Sequence, residues 1–208
     1  MEVLVYIMER SDMILVLFLE HLWLILVSIG IAIVIGVFLG VLISYFTRLA
    51  PPVLTACQIL MTVPSIAMLG LLLPFFGIGF QSGVIALILY SLLPIVRNTY
   101  SGIEEIPDAI IESAKGMGMK DYRILFKIKL PLAFPVIMAG VRTATVMIVG
   151  IGAIAAYIGA GGLGELIFNG ISRTAPPMII TGALFVSIIA VAFDLLLSKL
   201  EKSKTIKY

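Results

Sequence analysis

Residues 112–131 read ESAKGMGMKDYRILFKIKLP. Seven charged groups fall in this stretch: Glu112, Lys115, Lys120, Asp121, Arg123, Lys127 and Lys129. The rest of the chain is mostly Leu, Ile, Val, Ala and Gly. Of its 208 residues 61% are hydrophobic and 12% charged, and the mean hydropathy is +1.19. A soluble domain is about 45–50% apolar and about 25% charged. The composition defines an integral membrane protein, and the quoted stretch is a place where the chain leaves the bilayer.

Working outward, apolar runs near the ~20 residues needed to cross a bilayer recur on both sides of it. They predict an all-α membrane protein, one transmembrane domain over 1–208. Its five membrane helices fall at about 22–46, 53–76, 81–97, 132–158 and 178–198, with a loop at 98–131 between the third and fourth. In hydrocarbon only helices or closed barrels satisfy the backbone, and these runs lack the alternation of barrel strands. Pro64 and Pro74 are expected to interrupt the second span. Glu2, Glu9 and Asp12 stand where a cleaved signal peptide would be basic, so none is expected.

Lys and Arg near span ends set orientation. One side collects Arg48, Arg97, Lys115, Lys120, Arg123, Lys127, Lys129, Lys199, Lys202, Lys204 and Lys207. The other holds Arg10 and Arg173. The N-terminus is therefore expected outside, and the 98–131 loop and the C-terminus in the cytoplasm.

Within that loop, Pro107 suits a first helical turn, and Glu104, Glu105 and Asp108 suit the positive end of a helix. Ile106, Ala109, Ile110, Ser113, Ala114 and Met117 recur at helical spacing, giving a small apolar face. Gly116 and Gly118 end this helix. A second amphipathic helix is expected over about Lys120 to Leu130, with Pro131 ending it and starting the next span. Physics leaves two readings open: helices lying on the inner leaflet, or a docking element whose small residues Ser113, Ala114 and Gly118 admit a partner.

The spacing of Glu112, Ser113, Ala114, Gly118, Ile128, Leu130 and Pro131 resembles the EAA loop of bacterial ABC importer permeases, with Ser113 in place of the first alanine. TVPSIAMLGLLLPFFGIG (62–79), LYSLLPIVRNTYSGI (89–103), AGVRTATV (139–146) and IAAYIGAGGLGELI (154–167) are similar to permeases of the osmoprotectant branch, so the likeness covers about 20–198. The resemblance implies a bacterial cell-membrane subunit of an ATP-driven importer of glycine betaine, choline or carnitine, working by alternating access. It implies that residues 107–118 are a coupling helix, and that the partners are ATPase subunits, a second permease chain, an external substrate-binding protein and lipid. A methionine-type amino-acid permease is the alternative, and a membrane scaffold or channel a further one.

Other motifs stay open. Gly159, Gly161, Gly162 and Gly164 satisfy G-x-G-x-x-G, but the membrane flanks and the distant Asp194 argue against a dinucleotide site. The run reads either as a plain loop or as an external gate or docking edge. No Walker A sequence occurs, so ATP and its magnesium are assigned to the partner ATPase, and no cofactor to this chain. Cys57 is alone and His21 is the sole histidine, so no internal disulfide and no metal site are expected; no catalytic residues and no nucleic-acid partner are expected either. Arg142 lies about 15 Å up the fourth helix. There it reads as a gating or helix-pairing residue with Asp194 as a partner, or as snorkelling to the interface. Thr62, Pro64, Ser65, Tyr90 and Ser91 gather where a broken helix could line a pathway, although prolines are common in membrane helices.

Overall fold

The computed structural model describes residues 2–203, so Lys204 and Lys207 lie outside the described residues. A short helix α1 (Glu2–Glu9) leads into α2 (Ser11–Tyr45). A 3-10 turn (Thr47–Leu49) opens the pair α3 (Ala50–Thr62) and α4 (Ser65–Phe76), followed by α5 (Phe80–Glu104). The charged stretch forms α6 (Asp108–Gly116) and α7 (Asp121–Ile124), then a π turn (Leu125–Lys129) that runs into α8 (Leu130–Ala155). A 3-10 turn (Ala156–Ile158), α9 (Gly164–Ser172) and α10 (Pro176–Ser203) complete the described chain. Ser11–Tyr45, Phe80–Glu104, Asp121–Ile158 and Pro176–Glu201 are each long and apolar enough to cross a membrane. Residues Thr47–Thr62 and Ser65–Phe76 pass the same test as a pair bent by 102°.

Small residues set how these helices lie together. Gly36 faces Ile95, Gly40 faces Thr99, and Gly83 faces Leu24. These contacts advance in step along both chains, so α2 and α5 run parallel. Gly83 also meets Ala155, Gly102 meets Val136 and Ala133, and Gly140 meets Pro94 and Asn98. Those pairings run in opposite order, so α8 is antiparallel to α5. Lipid tails give helices no hydrophobic reason to associate, and close backbone approach through small residues supplies the packing instead. Leu24, Ile25, Leu87, Ile95, Ile148 and Leu163 fill the fully buried centre. Buried hydroxyls turn back on their own helices: Ser28 donates to the Leu24 carbonyl, Ser91 to Leu87 and Thr145 to Val141, at 2.7, 2.8 and 2.7 Å.

Three expectations about prolines need correction. Pro64 does break the second apolar run: Val63 and Pro64 are extended, with ψ of 128° and 138°, because a residue before proline is pushed out of the α region. Pro74 does not interrupt it. It sits in the last turn of α4, where one lost ladder bond leaves little helix beyond it to break. Pro131 does lie in the first turn of α8, but it does not end a helix before it, since helical backbone continues from Asp121 to Ile158. The widened π turn just before it accommodates a ring that cannot donate and would crowd the carbonyl four residues back. Pro107 lies outside α6, at the N-cap with ψ of 131°. Helical structure also reaches beyond the apolar runs. The helix carrying the 22–46 run begins at Ser11, so Asp12, Glu20 and His21 belong to it, and α9 occupies part of the expected glycine-rich loop.

Gly140 and Gly150 test the packing argument within one helix. A Cβ at Gly140 would lie 2.6 Å from the Pro94 carbonyl oxygen, whereas nothing lies within 4 Å of one at Gly150. Gly140→Ala is expected to lower the thermal midpoint of the detergent-solubilised protein. Gly150→Ala should raise stability by about 0.5–1 kcal/mol through the removed backbone freedom. Equal effects at both sites would refute the close-approach account.

Candidate functional site

The charged stretch folds as a capped hairpin. Asp108 occupies the first turn of α6 and Lys115 its last, each complementing the helix dipole. At the far end the Met119 N–H donates to the Ala114 carbonyl at 3.1 Å and the Gly118 N–H to the Lys115 carbonyl at 2.9 Å. With Gly118 at φ 79°, this is a Schellman cap. No atom lies within 4 Å of a Cβ added at Gly118, so this glycine is needed for its backbone conformation and not for closeness. Ala114 is 1% exposed; it faces inward, which corrects its expected place on a partner-facing surface. A larger side chain there would have to displace the atoms that bury it. The outward surface is made by Glu112, Ser113, Lys115 and Met117, the last 75% exposed. The Ser113 hydroxyl donates to the Ala109 carbonyl at 2.7 Å. Ile128 and Leu130 are half-buried and Pro131 exposed. The Lys129 ammonium sits 5.2 Å from the Tyr45 ring centre, tying the π turn to the end of α2.

At the α3–α4 break, Thr62, Pro64, Ser65 and Tyr90 are brought together. The break strips the Val63 carbonyl of its helical donor, and the Tyr90 hydroxyl donates to it at 2.5 Å. Tyr90 itself is 3% exposed. Thr62 is exposed and donates to the Ile59 carbonyl at 2.7 Å. Pro64 is exposed and Ser65 half-buried.

Arg142 belongs to a separate cluster. Its Nε and Nη2 donate to the two carboxylate oxygens of Asp194 at 2.5 and 3.0 Å, and Nη1 reaches Glu201 at 3.5 Å. The fork geometry suits a guanidinium paired with a carboxylate. The three residues line an open cavity of about 440 Å³ with Ala139, Thr143 and Met147. Glu201 was missed by the sequence reading, yet it follows Asp194 by two helical turns, which puts both on one face of α10.

The glycine run is stitched to α2. Gly159, Gly161 and Gly162 have φ of 77°, 79° and 88°. The Gly162 N–H donates to the Glu20 carboxylate at 3.0 Å. His21, fully buried, donates from Nε2 to the Val149 carbonyl at 3.1 Å, and its ring lies against Gly162. The Gly79 N–H reaches the Ile158 carbonyl at 2.9 Å, and Gly164 is pressed on the Ala153 backbone. Burial, with Glu20 adding like charge, pushes the Glu165 carboxyl above its usual range. Glu20 and His21 also escaped the sequence reading, because the first span was begun just after them. Among the described residues no cluster of His, Cys, Asp or Glu could hold a metal.

Long apolar helices, glycine-mediated contacts and a capped polar hairpin define a multi-pass helical membrane protein. Residues 32–205 match the family described as binding-protein-dependent transport system inner membrane component, and the chain belongs to that family. It is 46% identical over 206 residues to the osmoprotectant import permease protein OsmW of Salmonella typhimurium, covering 97% of this chain and 96% of that one. It is 45% identical over 173 residues to the choline transport system permease protein OpuBD of Bacillus subtilis, covering 83% and 76%. With the carnitine transport permease protein OpuCB of Listeria monocytogenes it shares 37% over 205 residues, covering 99% and 94%. Its fold is similar to a chain of an inward-facing MetNI methionine ABC transporter, with a TM-score of 0.85 at 23% identity, over 95% of this chain and 98% of that one. Members of this family are transport components and not enzymes.

Gly118→Asn should be tolerated, because asparagine visits the left-handed region, whereas Gly118→Val should weaken the cap by about 1–2 kcal/mol. The comparison is read by the rate of limited proteolysis within residues 112–131, with Val cut faster than Asn. A Gly118→Val protein cut no faster than wild type would remove the capping role.

Proposed function

We propose that this chain is the permease subunit of an ATP-driven importer for quaternary ammonium osmoprotectants such as glycine betaine, choline or carnitine, in a bacterial cell membrane. The observation that carries the reading is similarity over nearly the whole chain to permeases whose names print those solutes. The methionine transporter shares the fold at 23% identity, which speaks to architecture and not to solute.

Five crossings fit the helix order. Because α2 and α5 run parallel, the chain from Tyr45 to Phe80 has to return across the layer, and the bent α3–α4 pair makes that return. Arg48, Arg97 and the basic groups of 115–129 then share a side with Lys199, which favours a cytoplasmic hairpin and an outer N-terminus. In this reading α6 is the coupling helix. Glu112, Ser113, Lys115 and Met117 meet a groove of a separate ATPase that binds ATP and magnesium. Ala114 and Gly118 hold the helix end in shape, and Ile128, Leu130 and Pro131 carry movement into α8. A second permease chain completes the pathway, and an external binding protein delivers solute to the side of Gly159, Gly161, Gly162 and Gly164.

Alternating access follows. ATP draws two ATPase subunits together, their grooves move the coupling helices, and the pathway opens toward the loaded binding protein; hydrolysis resets it. The α3–α4 break, with Thr62, Pro64, Ser65 and Tyr90, and the Arg142–Asp194–Glu201 cluster are the polar interruptions that such a pathway or gate would use. Arg142 acts as a gate through its partners and not as a ligand for a cationic solute, since like charges repel.

Uptake assays on the assembled transporter test the solute: glycine betaine, choline or carnitine should accumulate with ATP, and accumulation of methionine alone would overturn the assignment. Met117→Asp should keep the fold and reduce ATPase copurification or uptake at least about tenfold, the size of one lost docking contact. A fully coupled Met117→Asp complex would sink the coupling role of α6. Arg142→Leu should reduce uptake with ATPase association intact, and Arg142→Leu with Asp194→Leu should express better than the single change, because neither charge is left unpaired. Wild-type uptake by Arg142→Leu removes the gate.

A further inference from the structure

A cavity at the end of the bundle opposite the capped hairpin shares only Glu165 with the parts above. It encloses about 230 Å³ between α1, the start of α2, α9 and the start of α10. Its rim carries Arg10, Arg173, Glu165 and Asn169, and its floor includes Leu17 and Met178. Opposite charges facing one small space ordinarily pair. Here no ion pair within 4.0 Å joins either arginine to Glu165, and among the described residues no side-chain hydrogen bond engages any of the three. Glu165 is half-buried and carries a raised affinity for a proton from burial and from Glu20; a cation beside it would relieve that strain. Two guanidiniums and a carboxyl, held apart over an apolar floor, present separate places for an anion and a cation on one molecule.

We propose that this cavity binds a small zwitterion, its anionic oxygens between Arg10 and Arg173 and its ammonium group against Glu165. Two sources carry that chemistry: the headgroup of a zwitterionic phospholipid, whose chains would continue along the apolar wall, and a free zwitterionic solute. The geometry suits both. α1, which lends Tyr6 to the lining, exposes Leu4, Val5 and Met8, as a helix at a lipid surface would, while a cavity under the ~300 Å³ of drug-sized pockets suits only a small headgroup or solute. The proposal is independent of which solute the protein transports, because it concerns only the charge pattern of this cavity.

Native mass spectrometry of the assembled transporter in nanodiscs of equal phosphatidylethanolamine and phosphatidylglycerol separates the sources. Retention of phosphatidylethanolamine over phosphatidylglycerol by wild type identifies the lipid. Saturable binding of radiolabelled glycine betaine in phosphatidylglycerol nanodiscs, without a binding protein, identifies the free solute. Whichever occurs, Arg10→Gln with Arg173→Gln should weaken it at least about tenfold, the size of one charge-assisted hydrogen bond. Glu165→Gln should abolish the preference for a zwitterion over an anion while leaving anion retention. Size-exclusion profiles matching wild type establish that the variants are assembled. Absence of both binding events in wild type overturns the proposal. So do binding unchanged in the double arginine variant and a zwitterion preference unchanged in Glu165→Gln.

Discussion

The parallel contact between α2 and α5 is the constraint from which the rest of the bundle follows. Gly36 and Gly40 present no side chain, and Ile95 and Thr99 occupy the space a Cβ would need. Two parallel neighbours in a single chain require an intervening return, and only α3 and α4 are available to make it. Their bend of 102° therefore lies on the topological path itself. The antiparallel α8 then closes on both helices through Gly102, Gly140 and Gly152. The directions of three long helices, α2, α5 and α8, follow from a handful of positions where the backbone comes close.

Hydrocarbon makes polar satisfaction strict, and several breaches in this chain are answered by a distant group. A carbonyl freed at Val63 finds the Tyr90 hydroxyl. A guanidinium at Arg142 finds two carboxylates on α10. The amide of Gly162 finds Glu20, and His21 ties α2 to the Val149 carbonyl. Each such partner lies far away in sequence. The polar interruptions are thus also the long-range ties of the bundle, and any motion of the helices has to rearrange them.

That separation by sequence distance explains what could be read in advance. The all-helical class, the long spans and the charged hairpin follow from composition and period, which are local. Asp194 could be named as a partner for Arg142 because few charges occur in apolar runs. Glu20 and His21 could not be placed, since whether a polar pair at a span's edge lies inside the helix depends on the neighbour it meets. The prolines show the same limit. Pro64, Pro74 and Pro131 look alike in sequence, but one breaks a helix, one sits in a last turn, and one follows a π turn. The E-x-A-x-x-x-G spacing suggested a surface of small residues; the fold shows Ala114 and Gly118 serving a helix end.

The continuity of helix from Asp121 to Ile158 changes how force would travel in the importer proposed above. A linker ending at Pro131 would absorb a push on α6. An unbroken helix instead passes it along α8 to Arg142 and the cluster on α10. The π turn is the exception in that rod: its wider ladder is less well bonded than an α turn, and Lys129 holds it against Tyr45 at the end of α2. A push on the hairpin therefore acts about a fixed point at the π turn, so α8 would tilt and not slide. Tilting moves the far end most, where α8 meets His21 and the Gly162 stitch. In the importer proposed above, the hairpin and the glycine run, at opposite ends of the molecule, would be the two ends of one lever.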